Sequence, residues 1–329
     1  MNPHRELYNS HWTPELAKVI AESPPTDKLV AGVMVEDWEG AERLAAGEPA
    51  TGEMIFDHVG LRGPPGRLHG GLHCLIRTIA ILRHIPRNAG IELFPCAINV
   101  GLGAALPLGK SVPFEARFHN TDDGWWFTSR FNETDRLQAA AWSIGEDQIL
   151  APEALARWKS RFEKAHESEQ KKVLRTVGLP YFGTDELCWC ATNKPASEGG
   201  TAYEAMHRFV AREGFYGPSL ICMYLDNAGA LTRAAYDTMT PHFTTRVSLK
   251  IAQPYIPSSE RLLFLGDRAG RVPARFSRAR PITLAGKEEG TETSEVLMVN
   301  EDFSKVYAHG WVDTHPIDIK RLAAELPHE

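Results

Sequence analysis

Three stretches rich in apolar residues, VPFEARFHN at 112–120, GWWFTSRFN at 124–132 and RLQAAAWSI at 136–144, read as successive strands separated by polar turn signals. The turn signals TDDG and ETD between them predict an antiparallel meander. Upstream, EMIFDHV at 53–59 reads as a short strand, and RLHGGLHCLIRTIAIL at 67–82 as a Gly-containing turn running into an apolar helix. The same order returns later in the chain. ELCWCAT at 186–192 reads as a strand, GFYGPSLICMYLDNAGAL at 214–231 as a turn and helix, and FTTRVSLKIAQPY and RLLFLGDR as strands. Between the two sets, PEALARWKSRFEKAHESEQKKVLRT is charged and helical in pattern, a connecting helix that is mostly solvated.

The repetition extends to landmarks. Pro107 and Phe114 of PLGKSVPF return at the same separation as Pro257 and Phe264 of PSSERLLF. FNETDRLQAAAW at 131–142 is answered by VNEDFSKVYAHGW at 299–311, each an Asn-Glu turn and a strand ending in Trp, Trp142 or Trp311. Matches in one order indicate an internal duplication. The organisation expected is a first unit over 1–148 (core about 50–145), a connecting helix over 149–178 and a second unit over 179–329 (core about 183–315). One strand, one long helix and an antiparallel sheet, written twice, give an α+β fold class with a sheet wrapped around a central helix in each unit.

Composition excludes more than it selects. The chain of 329 residues has 43% hydrophobic and 24% charged residues, enough apolar material for a sizeable core. A net charge of −6 carries no basic footprint for nucleic acid. No run is long and apolar enough for a membrane-spanning helix. The N-terminal MNPHRELYNSHWTPEL lacks the charged start and apolar core of a signal peptide. Five cysteines (Cys74, Cys96, Cys188, Cys190 and Cys222), mainly in apolar segments, favour a reduced, cytoplasmic protein.

His69 and His73 have the i, i+4 spacing of a metal pair, but no third ligand presents itself, so no metal site is expected. Cys188-Trp189-Cys190 reads as alternating strand residues, and Trp125, Trp126 and Trp142 as sheet core. Gly70 and Gly71 admit two readings, close packing or bare amides at a helix start facing an oxyanion. His69 is a helix cap, a core residue or a member of a site. Asp226, inside LICMYLDNAGALT, needs partners if it is buried.

The HGG turn followed by LHCLIRTIAIL, and YGPSLICMYLDNAGAL in the second half, resemble the hot-dog fold superfamily, specifically its acyl-CoA thioesterase-like members. The resemblance covers about 50–145 and 183–315 and implies a double hot-dog. In that superfamily the site lies between paired units, one giving a Gly-rich helix start and the other a carboxylate. The first half keeps His69, Gly70 and Gly71, but Thr78 or Ile79 stands where the acid belongs. The second half has Asp226, but its turn is Tyr216-Gly217-Pro218, and Pro218 has no N–H to donate.

The resemblance therefore implies one composite site. His69, Gly70 and Gly71 would form the oxyanion hole, and Asp226 would activate water or attack directly. Thr244 or Thr245 would hold the water, and His309, where the first half has Ala140, would be an added helper. Arg62, Arg67 and Arg87 would meet the phosphates of coenzyme A, which enters as part of the substrate and not as a cofactor. The partner expected is an acyl-CoA or acyl-carrier thioester, and the outer faces of such units imply a homo-oligomer. Two other readings use the same fold. A hydratase–dehydratase would carry a GDxNPxH-like loop, of which LGDRAG at 265–270 has only Gly-Asp. A non-catalytic acyl-thioester-binding protein would explain the missing acid of the first half.

Overall fold

The computed structural model describes residues 40–55, 70–71, 78, 81–82, 92–102, 106, 109–132, 138–175, 180–184, 187–191, 211–212, 215–216, 218–236, 242–253, 255–257, 259–268 and 291–316. The first half opens with a short helix α1 (Gly40–Ala45) and strand β1 (Ala50–Ile55). It continues through β2 (Cys96–Gly101), β3 (Ser111–Thr121), β4 (Gly124–Phe131) and β5 (Gln138–Ser143). Helix α2 (Pro152–Glu167) leads to β6 (Lys172–Arg175), β7 (Pro180–Gly183) and β8 (Leu187–Ala191). Short strands β9 (Ala211–Arg212) and β10 (Phe215–Tyr216) precede the long helix α3 (Pro218–Tyr236). After it come β11 (His242–Ile251), β12 (Ile256–Pro257), β13 (Leu262–Arg268), β14 (Glu292–Asn300) and β15 (Val306–Pro316).

Among the described residues, twelve strands form one sheet in the order β1-β3-β4-β5-β2-β11-β15-β14-β13-β8-β7-β6. The halves share a strand order. In each, the strand before the central helical segment (β1, β8) lies far from the junction and the strand after it (β2, β11) lies at the junction. The three-strand meander fills the space between them. The halves meet where β2 pairs antiparallel with β11, from Cys96 opposite Ile251 to Gly101 opposite Arg246. A hydrogen bond from Ser248 Oγ to Asn99 Oδ1 (3.1 Å) crosses the same junction.

Alternation along the second-half strands sorts side chains onto two faces. Cys188 and Cys190, Phe264, Val296 and Met298, Ala308 and Val312, and Val247, Leu249 and Ile251 share one core with α3. Their neighbours Leu187 and Trp189, Leu263 and Leu265, and Leu297 and Val299 face the other way, into a second cluster with Trp158 of α2. An antiparallel sheet packed on one long helix is the hot-dog arrangement that the resemblance implies.

Helix α3 is apolar on nearly every side. Leu220, Ile221, Cys222, Tyr224, Leu225 and Ala228 are all fully buried, as a helix enclosed by sheet and by other helical segments requires. Each such large side chain contributes roughly 1.5–3 kcal/mol by leaving water. A Cβ added to Gly229 would come within 2.5 Å of Val312 Cβ, so this glycine lets the helix lie close against β15.

Helix α2 is more than a solvated connector. Trp158 and Ala165 are buried against the outer face of the second-half sheet. Arg161 makes a two-armed ion pair with the buried carboxylate of Asp267.

Candidate active site

The central cluster is built on α3. Asp226 lies on a helix whose neighbouring residues are in the core, and it is only 5% exposed. A buried carboxylate without partners would cost several kcal/mol, so the donors around it are the informative feature. The amide of Gly71 donates to Asp226 Oδ2 at 2.9 Å, and the hydroxyl of Thr244 donates to Asp226 Oδ1 at 2.6 Å. Each carboxylate oxygen thus has a donor, one from the first half of the chain and one from β11.

Gly70 and Gly71 are helical residues; space forbids a side chain at Gly71 and leaves little room for one at Gly70. A Cβ on Gly71 would lie 2.5 Å from the carbonyl oxygen of Cys222 and 2.6 Å from Met223 Cα. Both are main-chain atoms of α3 and cannot swing aside. A Cβ on Gly70 would meet Asp226 Oδ2 at 3.0 Å and Thr244 Cβ at 3.4 Å. The packing reading of the two glycines is the one the geometry carries. The chain needs glycine to bring this backbone against α3, and that approach puts an amide on the carboxylate.

The arrangement differs from the sequence expectation in one respect. The Gly71 amide, expected to face a substrate carbonyl, is engaged by Asp226. It fixes the orientation of the acid.

His309 is a correction. Its imidazole lies on the face of the sheet turned away from α3, where Nε2 meets Glu295 Oε1 at 2.7 Å and the ring packs edge-on to Trp311. It pairs in register with Leu297, a member of the α2-covered cluster. Its residue type suggested chemistry, but its strand parity puts the sheet between it and Asp226. Burial pushes the Glu295 carboxyl up, but the hydrogen bond and charge of His309, with Arg157, outweigh this and hold it below the usual range.

His69, Arg62, Arg67 and Arg87, expected at the helix start and entrance, lie outside the described residues, as do His73 and Cys74. Thr78 is fully buried, and its hydroxyl has no hydrogen-bond partner among the described residues. Among the described residues no group of three potential ligands could hold a metal ion. No helix among them is long and apolar enough to cross a membrane. Cys96, Cys188, Cys190 and Cys222 are buried free thiols. Trp125 joins the core, whereas Trp126 and Trp142 are half-buried, with His119 stacked on Trp126 at 4.0 Å.

Two features escaped the sequence reading. Thr314 of β15 stands directly opposite Thr244 in register and is 2% exposed, so a second hydroxyl residue borders the cluster. Its place follows only from the pairing of β11 with β15. Behind α3, burial first, and then the nearby Cys190, Tyr224, Cys188 and Asp226, push the Tyr181 phenol well above its ordinary value. It stays neutral and donates to the main-chain carbonyl of Tyr224 at 3.1 Å.

The Asp267 of LGDRAG is occupied elsewhere. Its pairing with Arg161 holds it under α2, on the same outer face as Glu295. The one Gly-Asp that could suggest a hydratase loop thus has a structural partner, on the side of the sheet opposite Asp226.

No protein-family model and no curated protein matches the chain. Among the solved structures that match are chains described as thioesterases, dehydratase domains and a pyran synthase domain. One is a tesB protein of Mycobacterium avium subsp. paratuberculosis, 11% identical, covering 86% of this chain and 100% of its own, at a TM-score of 0.46. Another, described as a thioesterase, is from Novosphingobium aromaticivorans, 10% identical, covering 87% and 99%, at 0.48. A third is the dehydratase domain of PpsC from Mycobacterium tuberculosis in complex with C12:1-CoA, 13% identical, covering 88% and 98%, at 0.45.

Proposed function

We propose that the chain is a double hot-dog thioester hydrolase with one composite site, acting on an acyl-CoA or acyl-carrier thioester. The observation that carries this reading is the pair of donors on Asp226, Gly71 from one half and Thr244 from the other. The shared strand order of the halves supports the duplicated arrangement.

In this reading Asp226 takes a proton from water as the water oxygen attacks the thioester carbonyl carbon. The helix start at Gly70, with His69 beside it, stabilises the oxyanion that forms. The carbon–sulfur bond then breaks, the thiolate leaves and takes up a proton, and the free acid is released. Thr244 keeps the carboxylate aimed, and the arginines at 62, 67 and 87 meet the phosphates of the carrier. Thioester hydrolysis demands little beyond a base and an oxyanion site, because a thiolate is a good leaving group. The missing acid of the first half then leaves one working site and one degenerate one.

The test supplies the protein with saturated, branched and aromatic acyl-CoA esters and with a 3-hydroxyacyl-CoA, following free thiol and enoyl formation together. Thiol release without enoyl product supports hydrolysis. Water loss without thiol would replace it with a lyase, and tight binding with neither product would replace it with an acyl-thioester-binding role.

A further inference from the structure

Strand β11 should not be able to point Thr244 at Asp226. Val247, Leu249 and Ile251 face α3, and Arg246 faces the other side, where its Nε lies 3.8 Å from Asp313 Oδ2. Strict alternation would bring Thr245 to the inner face and turn Thr244 outward. The pairing of β11 with β15 breaks at this point. Arg246 stands opposite Asp313 and Thr244 opposite Thr314, so two steps along β11 match one along β15 and Thr245 is the extra residue. That single insertion reverses the parity of the strand and brings the Thr244 hydroxyl to Asp226.

The bulge is fastened from both sides. The Thr245 carbonyl accepts the amide of Leu102 at 2.7 Å, just beyond the end of β2 in the first half. Its hydroxyl donates to the main-chain carbonyl of Asp313 on β15 at 3.3 Å. The junction between the halves and the neighbouring strand thus hold the distortion together.

We infer that Thr245 is a positioning residue, and that the bulge it forms is the device that lays the Thr244 hydroxyl on Asp226. Thr245 acts through Thr244 and contacts no reacting atom. The catalytic consequence rests on the hydrolase reading above, whereas the placement of Thr244 does not.

The test has two arms. In kinetics, Thr245→Val keeps the branched shape and removes the hydroxyl. It is expected to lower kcat about tenfold with KM little changed, while Thr245→Ser restores the parent rate, the split expected when a group acts on the chemical step. In a Thr244→Ala background the same Thr245→Val change is expected to cost nothing further, because the residue it positions is gone. An equal loss in both backgrounds, or no loss in either, would overturn the inference. In the second arm, a crystal structure of a chain lacking Thr245 is expected to show the Thr244 side chain on the outer face, away from Asp226. Thr244 still bonded to Asp226 in that structure would overturn it without reference to any substrate. If the parent turns over no thioester and Thr244 nonetheless leaves Asp226 in the deletion chain, the positioning holds and the hydrolase reading falls.

Discussion

The amide of Gly71 lies 2.9 Å from Oδ2 of Asp226, joining residues 155 positions apart at the centre of the molecule. Neither half contains this contact alone. The acid sits on α3 of the second half, and the glycine pair belongs to the first, so the cluster exists only because the halves pack together.

The two glycines should respond differently to a methyl group. Gly71→Ala drives a Cβ against main-chain atoms of α3 and is expected to destabilise the chain by about 1–3 kcal/mol or more, as overpacking does. Gly70→Ala places its Cβ against the movable Asp226 side chain and Thr244. It should cost less stability but displace the carboxylate and depress thioester turnover. Urea unfolding midpoints beside steady-state rates would separate the two effects.

His309 offers the opposite test. His309→Leu removes the hydrogen-bond partner of a largely buried Glu295 and is expected to cost about 1–3 kcal/mol of stability. Turnover per folded molecule should stay within about twofold, because the sheet stands between this residue and Asp226. A large loss of kcat in a stably folded variant would return His309 to the site.

The same pair gives an acid dependence of known sign. The folded-state carboxyl of Glu295 is held below its unfolded value, so its contribution to stability is fully present above the unfolded value, about 4.3 for Glu. The contribution is lost as pH falls below that value and through the lower folded one. Stability measured from pH 6 down to pH 3 should therefore fall less steeply for Glu295→Gln than for the parent.

Arg161 tests whether α2 is fastened or merely adjacent. Arg161→Met leaves the Asp267 carboxylate, 6% exposed, without the ion pair that holds it. The expected cost is about 2 kcal/mol, below the full value for a broken buried pair because Arg161 is itself one-third exposed. A shift in the urea midpoint with an unchanged m-value would show it, and an unshifted midpoint would contradict it.

Much of this was legible in the chain. The strands read in VPFEARFHN, GWWFTSRFN and RLQAAAWSI match β3, β4 and β5, because the turn signals between them mark the hairpins; β3 and β4 then bury alternate residues, while β5 buries Ala139, Ala140 and Ala141 in a row. The complementary losses, an acid missing from one helix and a Pro218 in the other turn, pointed to Gly71 and Asp226 as neighbours. What was not legible concerns parity. Thr244 and Thr245 were equivalent candidates because a bulge has no fixed sequence mark. His309 looked like a helper because sequence order alone cannot say which face of a strand meets the central helix. The role of α2 was hidden too, since Arg161 in a charged helix resembles any solvated arginine until Asp267 is seen beneath it.

The most direct measurement is thiol release from a panel of acyl-CoA esters by the parent chain and by Asp226→Ala and Asp226→Asn side by side. The composite site requires that the parent hydrolyse at least one ester. Both variants should then lose about 10²- to 10⁴-fold in kcat, the usual contribution of a positioned base, while still folding and still binding the ester. Hydrolysis that survives both substitutions would contradict the assignment of Asp226 and, with it, the site built around the Gly71 amide.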